Sequence, residues 1–256
     1  MIAICPLSIV PVRKEPSDRS EMTTQLLLGD LAEVLSEQGS WREIRVLDDN
    51  YTGWVDAKQV EVLSDDDALL LSSSTFVLSA ETMHTATCSK GGYLNVVIGS
   101  RLPHYHEKEF SMNDCLFLFA GKVTTPTRPT SAGIVDCAKQ YLHAPYLWGG
   151  KSPFGIDCSG FTQMVYKMNG ISLPRDAWQQ ALTGEPVELH ELSHAGDLAF
   201  FTNDQGKVVH VGLMLDEDRI IHASGQVRID TLDKEGIIRA SDGVRTHRLS
   251  SKRRYF

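Results

Sequence analysis

The 256-residue chain has no run of about 18 consecutive apolar residues, the length a helix needs to cross a bilayer, which excludes a helical membrane span. It also lacks an excess of basic charge. The formal net charge is −8, divided as −5 over residues 1–63, −3 over 64–127 and zero over 128–256. Affinity for nucleic-acid backbones comes from Lys and Arg neutralising phosphates, so the acidic front half argues against such a partner and for a cationic or amine-bearing ligand. The short basic stretch Ser251-Lys252-Arg253-Arg254 reads as a solvated chain end. Cysteine is scarce: the five residues, at 5, 88, 115, 137 and 158, are odd in number, scattered and without a Cys-x-x-Cys pair. The apolar beginning of the chain has no basic leader and is broken by Pro6 and Pro11, which does not suit a secretory signal. Together these features point to a reducing cytoplasm. No internal repeat suggests a solenoid, and 42% apolar with 23% charged residues place the chain among folded globular proteins of two or three modules.

What is present divides at about residue 128. Before it, short apolar runs alternate with turn residues: 26–28 ahead of Gly29-Asp30, 32–35, a turn at Gln38-Gly39-Ser40, 41–47, a turn at Asp48-Asp49-Asn50, and 51–55. Runs of about five residues at roughly ten-residue spacing predict a small all-β barrel over 1–63. A second set, with strands expected at 76–78, 93–98 and 115–120, occupies 66–124. The acidic run Asp65-Asp66-Asp67 separates the two, and residues 124–130, with Pro126 and Pro129, form a linker. After the linker the period becomes helical. Ile134, Val135, Ala138, Tyr141 and Leu142 follow Ser131 as a cap, with Pro145 as the stop. Phe161, Met164, Val165 and Met168 predict a second helix starting near Cys158 and ending at Asn169-Gly170. Strands are then expected at 196–201, 208–215 and 219–223, with a turn through Asp216-Glu217-Asp218. The whole is an α+β chain whose last module, 128–256, packs helices on an antiparallel sheet.

The helix start carries the chemistry. A thiol at Cys158 faces the positive end of a helix dipole and free backbone N–H groups, both of which lower its pKa and favour a thiolate nucleophile. The bland reading is a small buried hydrophobe. His210 and His222 flank the turn near residue 216. Side chains equidistant from a hairpin turn share a face, so one imidazole can orient the other and complete a nucleophile, base and orienting group. His190-Glu191-Leu192-Ser193-His194 matches the zinc-peptidase spacing His-Glu-x-x-His, but Pro186 and Gly196 leave too little room for the long helix such sites use; a short turn is expected there. His104 and His106 read as loop residues.

Pro145-Tyr146-Leu147-Trp148-Gly149-Gly150, Asp157-Cys158-Ser159-Gly160-Phe161, Leu173-Pro174-Arg175-Asp176, Ala195-Gly196-Asp197-Leu198 and His210-Val211-Gly212, with His222 downstream, resemble the NlpC/P60 family of papain-like cysteine peptidases in motif and order. Gly29-Asp30 and Tyr51-Thr52-Gly53-Trp54-Val55 resemble bacterial SH3 domains, clearly over 1–63 and loosely over 66–124. The resemblance implies an NlpC/P60 catalytic domain preceded by two small SH3-like barrels. It further implies hydrolysis of the bond between γ-D-Glu and L-Lys or meso-diaminopimelate in murein tripeptides and tetrapeptides with a free N-terminal L-Ala, as in cell-wall peptide recycling.

In that scheme Cys158, His210 and His222 are catalytic, and the Cys158 N–H donates to the oxyanion. No metal or other cofactor takes part. Glu21, Tyr51, Asp157, Ser159 and Trp148 are substrate-binding, the first SH3-like module capping the amino end of the peptide. Carboxylates and a Tyr hydroxyl suit a free ammonium, which N-acetylation would abolish; Glu21 as a solvated acid and Tyr51 as barrel core are the plainer alternatives. Trp178, where the family often has a small polar residue, departs from the pattern near the cleft. Two rival readings stand beside the recycling peptidase: a non-catalytic SH3-type binder of wall peptides, and a hydrolase of intact wall.

Overall fold

The structure, a computed structural model, describes residues 1–73, 76–112 and 114–256. It divides into two compact units, Met1–Pro126 with Gly149–Pro153, and Thr127–Trp148 with Phe154–Phe256.

In the first unit, seven antiparallel strands form one sheet in the order Met22–Leu27, Ile9–Arg13, Thr52–Asp56, Trp41–Val46, Leu31–Gln38, Ile2–Ile4 and Glu61–Val62. Four of these are the runs expected from the turn residues; Ile2–Ile4, Ile9–Arg13 and Glu61–Val62 are additional. Alternate residues point inward, so Val10 and Val12 join Leu26, Ile44, Val46 and Val55 in a dry core. Asp65, Asp66 and Asp67 form the first turn of a helix, Asp65–Ser73, where carboxylates complement the dipole.

The following residues build a four-stranded sheet, ordered Tyr93–Val97, Met83–Cys88, Cys115–Leu118 and Glu109–Met112, and a three-stranded one, Arg101–Leu102, Val77–Ser79 and Val123–Thr124. Ile4, Leu28 and Leu31 pack in one cluster with Ala86, Val96, Phe110 and Phe119, so the core of this region is continuous with the preceding sheet. Cys88 and Cys115 are joined by a disulfide, which corrects the reading of five scattered thiols and removes the cysteine argument for a reducing compartment. The Gly149–Pro153 segment packs on Met22–Leu27. The Lys151 N–H donates to Gln25 Oε1 at 2.8 Å, and Gly149 has φ +77°, with a Cβ there falling 2.5 Å from the Met22 carbonyl oxygen.

The second unit is built on a seven-stranded antiparallel sheet. Its order is Glu185–Val187, Arg245–Arg254, Leu198–Thr202, Val208–Met214, Arg219–Ser224, Gln226–Leu232 and Gly236–Ile238, with the last strand also pairing to Arg245–Arg254. The helix Cys158–Met168 packs on Val208–Met214 and Arg219–Ser224 and is buried almost all round. A second helix, Ser131–Lys139, is capped by Thr130 and rests on the first. It ends well before Pro145, which instead bridges to Gln226.

The basic stretch is not a solvated end. It lies inside the sheet: Lys252 is buried with Nζ 2.6 Å from the Glu191 carbonyl, and Arg254 forks onto Asp197 at 2.8 and 2.7 Å. That same Asp197 accepts from the His194 N–H, closing the Ala195-Gly196 turn. His190-Glu191-Leu192-Ser193-His194 is a turn rather than a helix, so its imidazoles do not share a helical face.

Candidate active site

Every group of the site described here belongs to the second unit. Cys158 opens the buried helix, and Asp157 caps it: Asp157 Oδ1 accepts from the Gly160 N–H at 2.7 Å. A buried carboxylate needs a counter-charge, and Arg175, with 1% of its surface exposed, supplies it. Its guanidinium donates to Asp157 Oδ1 at 3.0 Å, to Asp157 Oδ2 at 2.6 Å and to Ser159 Oγ at 3.0 Å. Gln180 ties the same segment down through Thr162 Oγ1, the Ser159 carbonyl and the Pro174 carbonyl. The Leu-Pro-Arg-Asp motif thereby acts as a clamp on the helix start, a role that its residues do not show in sequence.

The two strand histidines meet. His210 Nε2 lies 2.8 Å from His222 Nδ1, and His222 Nε2 lies 3.0 Å from Asp230 Oδ2. Arg228 donates to Asp230 Oδ1 at 3.0 Å, and the Ala240 N–H donates to the same oxygen at 2.8 Å. The pairing differs in register from the one expected. Leu213 faces Ile221 and Met214 faces Ile220, which puts His222 beside Gly212, so the imidazoles meet diagonally. Gly212 makes this possible: a Cβ there would stand 2.9 Å from the His222 Cβ and 2.6 Å from Ile220 Cδ1. The backbone amides of Val211 and Ser159 interact with the Cys158 sulfur, placing the thiol at the residue that follows His210.

Burial works against the expected thiolate. Burial, with the Asp157 charge second, pushes the Cys158 thiol up to about 12, against weaker opposition from the Val211 amide, Arg175 and the Ser159 amide. Burial also drives His210 well below the ordinary histidine range, with His222 and His247 adding to the shift. Desolvation thus works against charge on both partners, raising the thiol and lowering the imidazole. Asp230 is the opposite case. Its burial would raise it, but hydrogen bonds from His222, the Ala240 amide and Arg228 hold it down to about 2, so it stays a carboxylate. Tyr146 sits between the Gly225 carbonyl, which accepts from its N–H, and a parallel bridge to Ile156. Burial and the nearby Cys158 and Asp157 push its hydroxyl up to about 12, leaving a protonated donor in the thiol's surroundings.

Asp157 and Ser159 flank the thiol as expected, their side chains engaged by Arg175. Trp148 is 61% exposed and Trp178 is 53% exposed on the short helix Ala177–Gln180. Glu21 and Tyr51 lie in the first unit. Glu21 faces Lys14 Nζ at 3.7 Å, both side chains well exposed, and the Tyr51 N–H donates to Asp49 Oδ1 at 2.9 Å. Among the described residues no group of three or more His, Cys, Asp or Glu is arranged to hold a metal. Asp230 and Arg228 were missed in the sequence. Their signal was the alternation Arg228-x-Asp230 on the strand paired to His222, the register setting Arg228 opposite it.

Residues 143–246 match the model of the NlpC/P60 family, and residues 12–60 match that of the bacterial dipeptidyl-peptidase SH3 domain. A gamma-D-glutamyl-L-lysine dipeptidyl-peptidase of Bacillus cereus is 30% identical over 90% of this chain and 77% of its own length. One of the same name from Bacillus subtilis is 31% identical over 78% of this chain and 71% of its own. The crystal structure of an NlpC/P60 family protein from Bacillus cereus superposes with a TM-score of 0.86 at 25% identity, covering 100% of this chain and 99% of that one.

Proposed function

The chain belongs to the NlpC/P60 family of cysteine peptidases, and on that premise we propose that it hydrolyses the bond between γ-D-Glu and an L-diamino acid, L-Lys or meso-diaminopimelate, in murein peptides that begin with a free L-Ala. The observation that carries this reading is the run His210–His222–Asp230, joined at 2.8 and 3.0 Å, beside the helix start that presents Cys158.

Cys158 is the nucleophile and His210 the base. Because burial opposes separated charges here, the proton passes from Sγ to His210 as sulfur attacks the γ-carbonyl, not before. Imidazolium and oxyanion then develop together. The Cys158 N–H donates to the oxyanion, an interaction whose loss typically costs about 3 kcal/mol. His222 holds the His210 tautomer and shares the growing positive charge with Asp230, which Arg228 and the Ala240 amide keep ionised. Imidazolium protonates the leaving amine of the diamino acid. Water, deprotonated by the same ring, then hydrolyses the thioester and frees L-Ala-γ-D-Glu.

Ammonium recognition is assigned to Glu21 and Tyr51, with Asp157 and Ser159 supplying charge and a hydroxyl at the nucleophile and Trp148 an aromatic wall. Residues 66–124 are assigned as a second, divergent SH3-like module after a first over 1–63, both ahead of a peptidase domain over 128–256. Recycling of released wall peptides, a cytoplasmic task, is the role that fits a free-amine requirement. The Cys88–Cys115 disulfide favours a second reading, a hydrolase of intact wall in an oxidising compartment.

One experiment separates them. L-Ala-γ-D-Glu-L-Lys and L-Ala-γ-D-Glu-meso-diaminopimelate, each free and N-acetylated, are incubated with the protein and release of the diamino acid is followed by mass spectrometry. Cleavage of the free-amine peptides alone is the expected result. Equal cleavage of the acetylated peptides would replace recycling by wall hydrolysis, and cleavage of none would overturn the peptide specificity.

A further inference from the structure

One imidazole that touches the base has no part in the mechanism. His247 lies on the strand Arg245–Arg254, far in sequence from every motif residue, yet its ring stacks on that of His210 with centroids 4.2 Å apart and planes 26° from parallel. It meets His222 edge-on at 5.7 Å and Phe201 at 5.8 Å, while Phe201 meets His210 at 5.7 Å. The base is thus enclosed by its hydrogen bond with His222 at one edge, His247 over one face and Phe201 beside it.

The ring that covers His210 is itself fixed. His247 Nδ1 lies 2.8 Å from Thr246 Oγ1, and its backbone pairs with Ile237. Gly236, with φ +156°, lets its strand approach so closely that a Cβ there would fall 1.7 Å from the His247 carbonyl oxygen. Nothing larger than glycine fits without moving His247.

We propose that His247 is a positioning residue for the base: its ring closes one face of His210 and, with His222, fixes the plane in which His210 meets Cys158. The claim rests on the cysteine-peptidase reading of Cys158 and His210. A single hydrogen bond between two imidazoles defines a point but leaves each ring free to rotate about it; a stacked ring removes that rotation, and misplacement of a catalytic group by about 1 Å costs on the order of 100-fold in rate. Burial, with the neighbouring His222 second, holds His247 down to about 4, so at neutral pH it covers the base as a neutral ring and adds no repulsion when His210 becomes imidazolium.

The test uses the full chain with His247→Ala, which removes the stack, and His247→Phe, which keeps an aromatic face. The Ala variant is expected to lose roughly 10-fold or more in kcat on L-Ala-γ-D-Glu-L-Lys at unchanged KM, and the Phe variant to recover to within roughly 3-fold of wild type. In parallel, long-range proton–nitrogen NMR of the histidine rings is expected to show the His210 Nε2 and Nδ1 signals exchange-broadened or moved in the Ala variant and near wild type in the Phe variant. Equal loss in both variants, or unchanged kcat and unchanged His210 signals in the Ala variant, would overturn the proposal. If the wild type cleaves no peptide, the functional reading fails by itself; the His210 ring signals in the two variants still decide whether His247 holds the base.

Discussion

Replacing Arg175 by Met tests the claim that the start of the helix Cys158–Met168 is held by a buried ion pair. The side chain keeps most of its length and loses only the guanidinium. Arg175 is 1% exposed and Asp157 5%, so the pair is screened little by water, and three hydrogen bonds of 2.6 to 3.0 Å vanish together. Removing one partner of such a pair strands the other charge in a low-dielectric site and typically costs about 3–5 kcal/mol. In a domain of this size that is a fall in Tm of roughly 10 °C or more. The assay is urea unfolding of wild type, Arg175→Met, Asp157→Asn and the double variant, with the cycle read as a coupling energy. Coupling of about 2 kcal/mol or more is expected, because the double variant strands no charge. The thiol gives an independent readout. Asp157 raises the Cys158 pKa and Arg175 lowers it, so alkylation should slow in Arg175→Met and quicken in Asp157→Asn. A loss below about 1 kcal/mol with no coupling, the behaviour of an exposed pair, would show that this ion pair does not hold the helix start.

Three further outcomes follow from the same geometry. With the thiol pushed up to about 12, the rate of iodoacetamide reaction at Cys158 should climb steadily from pH 7 to 10; a plateau reached below pH 7 would mean a preformed thiolate. Gly212→Ala should cost roughly 1–3 kcal/mol and depress kcat through His222, whose Cβ stands 2.9 Å from the new methyl; unchanged activity and stability would show that the strand yields freely. Asp230, held down to about 2 in the fold against about 3.9 when unfolded, stabilises the protein by about 2 kcal/mol above pH 4 and loses this as pH falls from 4 to 2. Urea unfolding should therefore show Asp230→Asn less stable than wild type at pH 7 and close to it at pH 2.5, and an equal gap at both values would contradict the sign of the shift.

The sequence disclosed what local physics controls. Helical spacing of Phe161, Met164, Val165 and Met168 located the helix that begins at Cys158, and the alternating strands around His210 and His222 brought two imidazoles together. What it hid depends on tertiary packing. A helix terminus that favours a thiolate is visible in sequence, whereas the burial that opposes it is not. Asp230 reaches the site through the register of the strand after His222, and His247 through a strand 25 residues beyond His222, in a polar stretch that reads as surface. Lys252 and Arg254 looked like a solvated end for the same reason, until the sheet closed around them. Cys88 and Cys115, 27 residues apart, meet only because their strands pair in the second sheet of the first unit.

Cys158 as the nucleophile is tested by following release of L-Lys from L-Ala-γ-D-Glu-L-Lys by the wild-type chain and by Cys158→Ala at equal concentration, with matched circular dichroism as the check on folding. Steady release by the wild type and none by the variant is the expected result. Release at the wild-type rate by a folded Cys158→Ala protein would contradict it.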